Sequence, residues 1–166
     1  MSDQSKAEFI TEALATHERP LVRYATWILR DLETAREVVQ ETFLRLCKEE
    51  PSRISGHLPQ WHFRVCRNLA FDVREKEARM TPLDDKAIGA DAALDRKETA
   101  GEIFRMLNGL PKNQREVVYL KFQCDLSYKE ISEITKLSVT NVGFLIHTAL
   151  KTLRKQVLSQ PARRTP

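Results

Sequence analysis

The sequence predicts an all-α protein made of two small helical domains joined by a flexible linker. Three observations carry that prediction. Strand-like alternation is nearly absent, while apolar residues recur at helical spacing from one end of the chain to the other. The stretch MTPLDDKAIGADAALD, residues 80–95, breaks the pattern with Pro82, Gly89 and a cluster of acids, and it has no sustained apolar stripe. After it, LSYKEISEITKLSVTNVGFLIHTALKTLR reads as two short helices on a tight turn. A chain of 166 residues can bury one medium core or two small ones, so the linker decides for two.

The elements follow in order. Residues 5–30 carry one or two helices, with Pro20 placed to start the second. Residues 31–49 form another, closed by Pro51. Residues 50–58, EPSRISGHL, hold a proline and a glycine and are expected to be a loop. From Pro59 a long helix runs to about Arg79. Beyond the linker, helices resume near Asp95, stop at Asn108 and Gly109, then restart at Pro111 and run to Phe122. The expected domains are therefore 5–79 and 99–158, with a linker at 80–98 and a basic tail at 159–166.

Lys and Arg outnumber Asp and Glu by 27 to 23, a mild excess that is compatible with nucleic acid without requiring it. Its placement says more. After Glu133 there is no acidic residue, while Lys136, Lys151, Arg154, Lys155, Arg163 and Arg164 follow. Such an end is either a solvated surface or a nucleic-acid face. Cys47, Cys66 and Cys124 are odd in number, far apart and unpaired in spacing, and are expected to be buried free thiols in a reducing cytosol. No apolar run approaches the ~20 residues of a membrane span, so a cytoplasmic location is expected.

In the C-terminal pair, Ser127 and Glu130 spell an S-x-x-E capping box, with Leu126 and Ile131 at the positions of a hydrophobic staple. The first helix should then start at Tyr128. Ser138 is a good N-cap for the second, leaving 135–137 as the turn. Val142, Ile146, Ala149 and Leu153 recur at steps of four, three and four and form the expected buried stripe. Thr140, Phe144, His147, Thr148 and Lys151 project from the other side, with Asn141 and Arg154 near them. Hydroxyl, amide and imidazole groups suit phosphates or base edges, and a phenylalanine can pack on a thymine methyl. A plain helical hairpin would show the same caps and stripe.

On the helix from Asp31, Ala35, Val38, Val39, Phe43 and Leu46 make the expected core stripe. Opposite them stand Glu37, Gln40, Glu41 and Leu44. A lone exposed leucine is ordinary, yet a leucine framed by two glutamates and a glutamine is also the pattern of a small protein-docking patch. The helix from Pro59 is expected to bury Leu58, Trp61, Val65, Leu69 and Val73 and to present Phe63, Arg64, Arg67, Phe71 and Arg74. Arginines interleaved with aromatics suit an unpaired nucleic-acid strand, neutralising phosphates and stacking on bases. Phenylalanines packed on neighbouring elements are the alternative.

In order, these pieces resemble the bacterial extracytoplasmic-function (ECF) sigma factors, the two-domain minimal class of RNA polymerase initiation factors. DLETAREVVQETFLRL is similar to the family's polymerase-clamp and promoter-opening segment, and WHFRVCRNLAFDVRE to its aromatic and Arg-Asn-x-x-x-Asp segment. LPKNQREVVYLKFQCDLSYKEISEITKLS is similar to the opening of its C-terminal domain. The resemblance implies a sigma-2-like domain followed by a sigma-4-like helix-turn-helix domain. It implies that Glu37, Gln40, Glu41 and Leu44 contact the coiled coil of the largest polymerase subunit. It implies that the 52–58 loop, with Ser52, Arg53 and Ile54, holds a flipped base of the minus-10 element with Asn68 beside it. Phe63, Arg67, Phe71 and Arg74 would guide the opened strand, and the helix from Val139 would enter the major groove at the minus-35 element. Core RNA polymerase and promoter DNA are the implied partners, with an anti-sigma factor as a further one and no cofactor.

Two departures stand out. Where the family often has Ala-Glu-Asp, this chain has Ala35, Arg36 and Glu37. Where its reading helix usually has Gly-Thr-Val followed by basic or hydroxyl residues, this chain runs from Thr140 to Leu145 as TNVGFL. The usual base contacts therefore do not transfer. A stand-alone helix-turn-helix regulator is the competing reading, and it leaves the Glu37 to Leu44 face and the arginine-aromatic helix unexplained. A helical enzyme finds little support: His17, His57, His62 and His147 make no metal-ligand spacing, and no phosphate loop or nucleophile motif occurs.

Overall fold

A computed structural model of the chain describes residues 2–80 and 98–160, all of whose regular elements are helical. The expected linker and tail lie almost wholly outside the described residues. The chain divides into two compact units, N-terminal and C-terminal.

In the N-terminal unit α1 spans Asp3–Leu29, α2 Leu32–Lys48, α3 Pro51–Ile54 and α4 Leu58–Met80, with a 3-10 turn at Ser55–His57 before α4. Pro20 does not start a second helix; it sits inside α1. A proline in a helix interior costs about 3 kcal/mol. Burial of Leu21, Tyr24, Ala25 and Ile28 just beyond it, at about 1.5–3 kcal/mol for each large apolar side chain, outweighs that cost. The loop expected at 50–58 is likewise helical over most of its length, because Pro51 occupies the favoured first-turn position and Ile54 is pulled into the core. Asp31 caps α2 through the Thr34 N–H.

The three long helices pack pairwise around one core. The stripe read from the sequence of α2 is the buried one: Ala35, Val38, Val39, Phe43 and Leu46. On α4 the stripe is displaced by about one residue. His62, Phe63, Cys66 and Ala70 are buried, while Trp61, Val65, Leu69 and Val73 are half-buried. The reason is tertiary. His62 Nδ1 lies 3.2 Å from His17 Nδ1 on α1, the His62 ring packs 5.0 Å from Phe43 on α2, and Phe63 meets Tyr24 at 5.5 Å. Partners on two helices draw in a wide arc that includes a histidine and a cysteine.

In the C-terminal unit α5 spans Glu98–Asn108, α6 Lys112–Phe122, α7 Tyr128–Thr135 and α8 Val139–Ser159. Leu110, Val118 and Ala149 form a buried cluster, with Leu107 and Leu153 packed against it. The capping box of α7 is complete: Glu130 N–H donates to Ser127 Oγ at 3.1 Å, and Ser127 N–H donates to Glu130 Oε2 at 2.7 Å. Lys136 ends α7 in the left-handed region with φ 63°, Ser132 donates its hydroxyl to the Leu137 carbonyl, and Ser138 accepts from the Asn141 N–H. These contacts fix a turn one residue shorter than expected, since Thr135 is still helical.

The cysteines differ from expectation. Cys66 is buried, Cys124 is half-buried and Cys47 is exposed. Burial pushes the Cys66 and Cys124 thiols up to about 12, which removes both as nucleophiles at neutral pH.

Candidate functional site

With Val38, Val39, Phe43 and Leu46 committed to the core, 3.6-residue geometry turns Glu37, Gln40, Glu41 and Leu44 outward together. Leu44 is 51 % exposed. Glu41 is held by Arg45 one turn on, Nε to Oε1 3.3 Å, an exposed pair worth about 0.3–0.5 kcal/mol. Beside this face α1 and α2 leave a groove of about 400 Å³, with Ile10, Leu14 and Val22 on one wall and Val39, Phe43 and Leu44 on the other. The sequence placed Leu44; the groove arises only when two helices pack, and periodicity has no signal for it.

The second expected face is on α3 and α4. Ser52, Arg53 and Asn68 are exposed, and Arg67, Phe71 and Arg74 are half-buried. The Arg67 guanidinium lies 4.8 Å over the Phe71 ring, so charge and aromatic surface are held as one unit. Two expected members are corrected. Ile54 is 4 % exposed and Phe63 is 2 % exposed. Drawing a phenylalanine out of a core costs about 3–5 kcal/mol, whereas stacking one base on it returns about 1–3 kcal/mol. Both side chains belong to the core instead of the outward face.

On the C-terminal unit, α7, the turn and α8 form the expected helix-turn-helix. Val142, Leu145, Ile146 and Ala149 are buried. Thr140, Asn141, Phe144, His147, Lys151 and Arg154 are exposed, and Thr148 is half-buried. Phe144, at 64 % exposure, is the most open of the large apolar side chains in the first three turns. From Ser138 to Leu150 the helix carries no Asp, Glu, Lys or Arg. Its outward surface is therefore built of hydroxyl, amide, imidazole and aromatic groups.

One feature escaped the sequence reading. The Tyr128 ring, 40 % exposed, lies on α8 at Gly143, where a Cβ would stand 3.5 Å from Cε2 and 3.7 Å from Cδ2. Lys121 Nζ sits 5.4 Å from the centre of the same ring and donates to the Leu126 carbonyl at 3.2 Å. The available signal was Gly143 itself, a glycine in mid-helix where alanine is about 1 kcal/mol better.

Comparison with known proteins agrees with this architecture. The Sigma-70 region 2 family model matches residues 14–80, and the model for Sigma-70, region 4 matches residues 100–153. The ECF RNA polymerase sigma factor SigM of Bacillus subtilis (strain 168) is 28% identical over 151 residues, covering 87% of this chain and 93% of the relative. The RNA polymerase sigma factor SigV of the same strain is 24% identical over 161 residues, covering 95% and 96%. The ECF RNA polymerase sigma factor SigW, also of that strain, is 29% identical over 147 residues, covering 78% and 79%. A chain whose described elements are all helical, with sigma region 2 in its first unit and region 4 in its second, is of the sigma-70 class. Within that class the chain belongs to the extracytoplasmic-function RNA polymerase sigma factors.

Proposed function

We propose that this sigma factor directs core RNA polymerase to its promoters through three surfaces. The outward face of α2, with Glu37, Gln40, Glu41 and Leu44, docks on the coiled coil of the largest polymerase subunit. Ser52, Arg53 and Asn68, with Arg67, Phe71 and Arg74, take the minus-10 element and assist its melting. Extruding a base costs a few kcal/mol, so groups placed to receive it favour the opened state. The outward side of α8 enters the major groove at the minus-35 element. There Thr140, Asn141, Phe144, His147 and Thr148 face base edges and backbone, and Lys151 and Arg154 meet phosphates. Residues 80–98 join a promoter-opening domain, 5–79, to an upstream-reading domain, 99–158. The factor works in the cytoplasm, where the polymerase is, without a cofactor or a catalytic step of its own, and an anti-sigma factor is a further partner.

The observation that carries the reading is the exposed Leu44 framed by carboxylates, which a stand-alone regulator leaves without a purpose. Its test is Leu44→Asp in the full chain. Because the side chain is outside the core, the thermal midpoint should stay within a degree or two while affinity for core polymerase falls by about 2 kcal/mol or more, as for a central interface residue. Retention of full affinity in a pull-down titration would remove α2 from the interface.

A further inference from the structure

Phe144 lies at the centre of the outward stripe of α8. Thr140, Phe144, His147 and Lys151 follow one another at steps of four, three and four, so they stand in one line along the helix. All four are exposed. The buried line of Val142, Ile146 and Ala149 runs on the opposite side, so the ring projects away from the core of its own unit. The start of the helix is fixed by Ser138, whose hydroxyl accepts from the Asn141 N–H at 3.0 Å. A single exposed apolar side chain is ordinary. This one has a particular setting: its neighbours on the outward face, Thr140, Asn141, His147 and Thr148, are polar, and from Ser138 to Leu150 the chain has no Asp, Glu, Lys or Arg.

We infer that α8 selects its upstream promoter element by the C5 methyl group of a pyrimidine, read by Phe144. In the major groove a duplex base pair presents hydrogen-bond donors and acceptors and one projecting apolar group, the methyl on C5 of thymine. A ring pressed on a donor or an acceptor strips it of water and returns no hydrogen bond. Pressed on a methyl, the same ring removes apolar surface from water on both sides. Penalty and gain point the same way, so Phe144 discriminates without making a hydrogen bond. The methyl stands on one strand only, so a T·A pair is told from A·T as well as from either G·C orientation. The commonest guanine contact, a bidentate Arg or Lys, is absent from the first three turns of the helix. The methyl therefore carries a large share of the choice. A 5-methylcytosine holds the same methyl at the same place, so Phe144 accepts it as it accepts thymine, and methylation of a cytosine there creates the contact that plain cytosine lacks. The inference rests on the reading that α8 enters the major groove.

The test uses the full chain with core polymerase and the upstream motif it selects from a randomised promoter library. In duplexes that keep this motif, each thymine is replaced in turn by deoxyuridine, which lacks only the methyl. At one or two positions affinity should fall about four-fold, the worth of one buried methyl. At such a position cytosine and 5-methylcytosine, each paired with guanine, are then compared, and the methylated base should bind about four-fold tighter. Phe144→Ala should leave the thermal midpoint in place, since the ring is outside the core, and should erase both differences. A selected motif without thymine would overturn the inference, as would a Phe144→Ala chain that still tells thymine from deoxyuridine. A thymine preference with no gain from 5-methylcytosine would also overturn it, because the whole base rather than its methyl would then be read. Lys151→Ala is the control for the reading of α8: it should weaken binding to every duplex alike and lower the salt slope by about one unit. If it does so while deoxyuridine has no effect anywhere, the methyl inference is wrong and the reading of α8 stands. If neither Lys151→Ala nor randomising the upstream element changes binding, both fall.

Discussion

His62 is wholly buried, its Nε2 has no hydrogen-bond partner, and its Nδ1 shares a hydrogen bond with His17. Burial, with the neighbouring His17 adding to it, pushes its pKa down to about 3, and burial also lowers that of His17. The folded chain therefore refuses a proton that the unfolded chain accepts below about pH 6.5. Stability contributed by the neutral pair is complete above that pH and falls as the solution is acidified from 6.5 toward 3, by about 1.4 kcal/mol per pH unit for each proton refused. Urea unfolding of the wild type between pH 7.5 and 4.5 should show this fall in the N-terminal unit. His62→Phe should reduce the slope by about one proton's worth, and an unaltered slope would assign the acid sensitivity to other groups. Neither histidine was marked by the sequence as half of a pair, because they stand on different helices and are separated by 45 positions.

At the scale of the element, the caps were legible and the handedness of the turns was not. Ser127 with Glu130, and Ser138, announce two helix starts by residue type alone, and each makes the bond its position predicts. Lys136 gives no such notice. It ends α7 with φ 63°, a conformation that costs an L side chain roughly 1–2 kcal/mol and a glycine almost nothing. Lys136→Gly should therefore raise stability by about 0.5–1 kcal/mol after the added freedom of the unfolded chain is subtracted, while Lys136→Ala should leave it nearly unchanged. Denaturant midpoints of the two variants measure the difference, and equal midpoints would mean that the turn does not need the left-handed residue. The same limit explains α4. Its hydrophobic arithmetic chose Trp61, Val65 and Leu69, but the helix turned Phe63 and Cys66 inward because Tyr24 and Thr42 were waiting on the other two helices.

At the scale of the whole molecule, the proposed division of labour needs the two units to reach two promoter elements at once. The segment 80–98 can span at most about 65 Å when fully extended, close to two turns of duplex at about 34 Å each. Removing eight of its residues leaves a reach of about 37 Å, roughly one turn. That deletion should abolish run-off transcription in the reconstituted holoenzyme while leaving affinity for core polymerase intact. Undiminished run-off would show that 80–98 is not the spacer.

The sequence by itself determined what depends on neighbours along the chain. Helix class, both caps of the helix-turn-helix, the core stripe of α2 and the outward set Glu37, Gln40, Glu41 and Leu44 all follow from residues within one or two turns of each other. Three motifs in order also determined the family, since each is local. The tertiary structure decided what depends on residues brought together from afar. Pro20 is bridged because the residues beyond it are buried. Ile54 and Phe63 turn into the core instead of outward because partners on other helices, such as Tyr24 against Phe63, bury them. The groove beside Leu44 exists only where α1 meets α2, and the Tyr128 ring meets Gly143 only where α7 and α8 come together. A helical period reports how apolar each direction around one helix is; which direction is filled depends on the neighbouring helices, and packing is non-local.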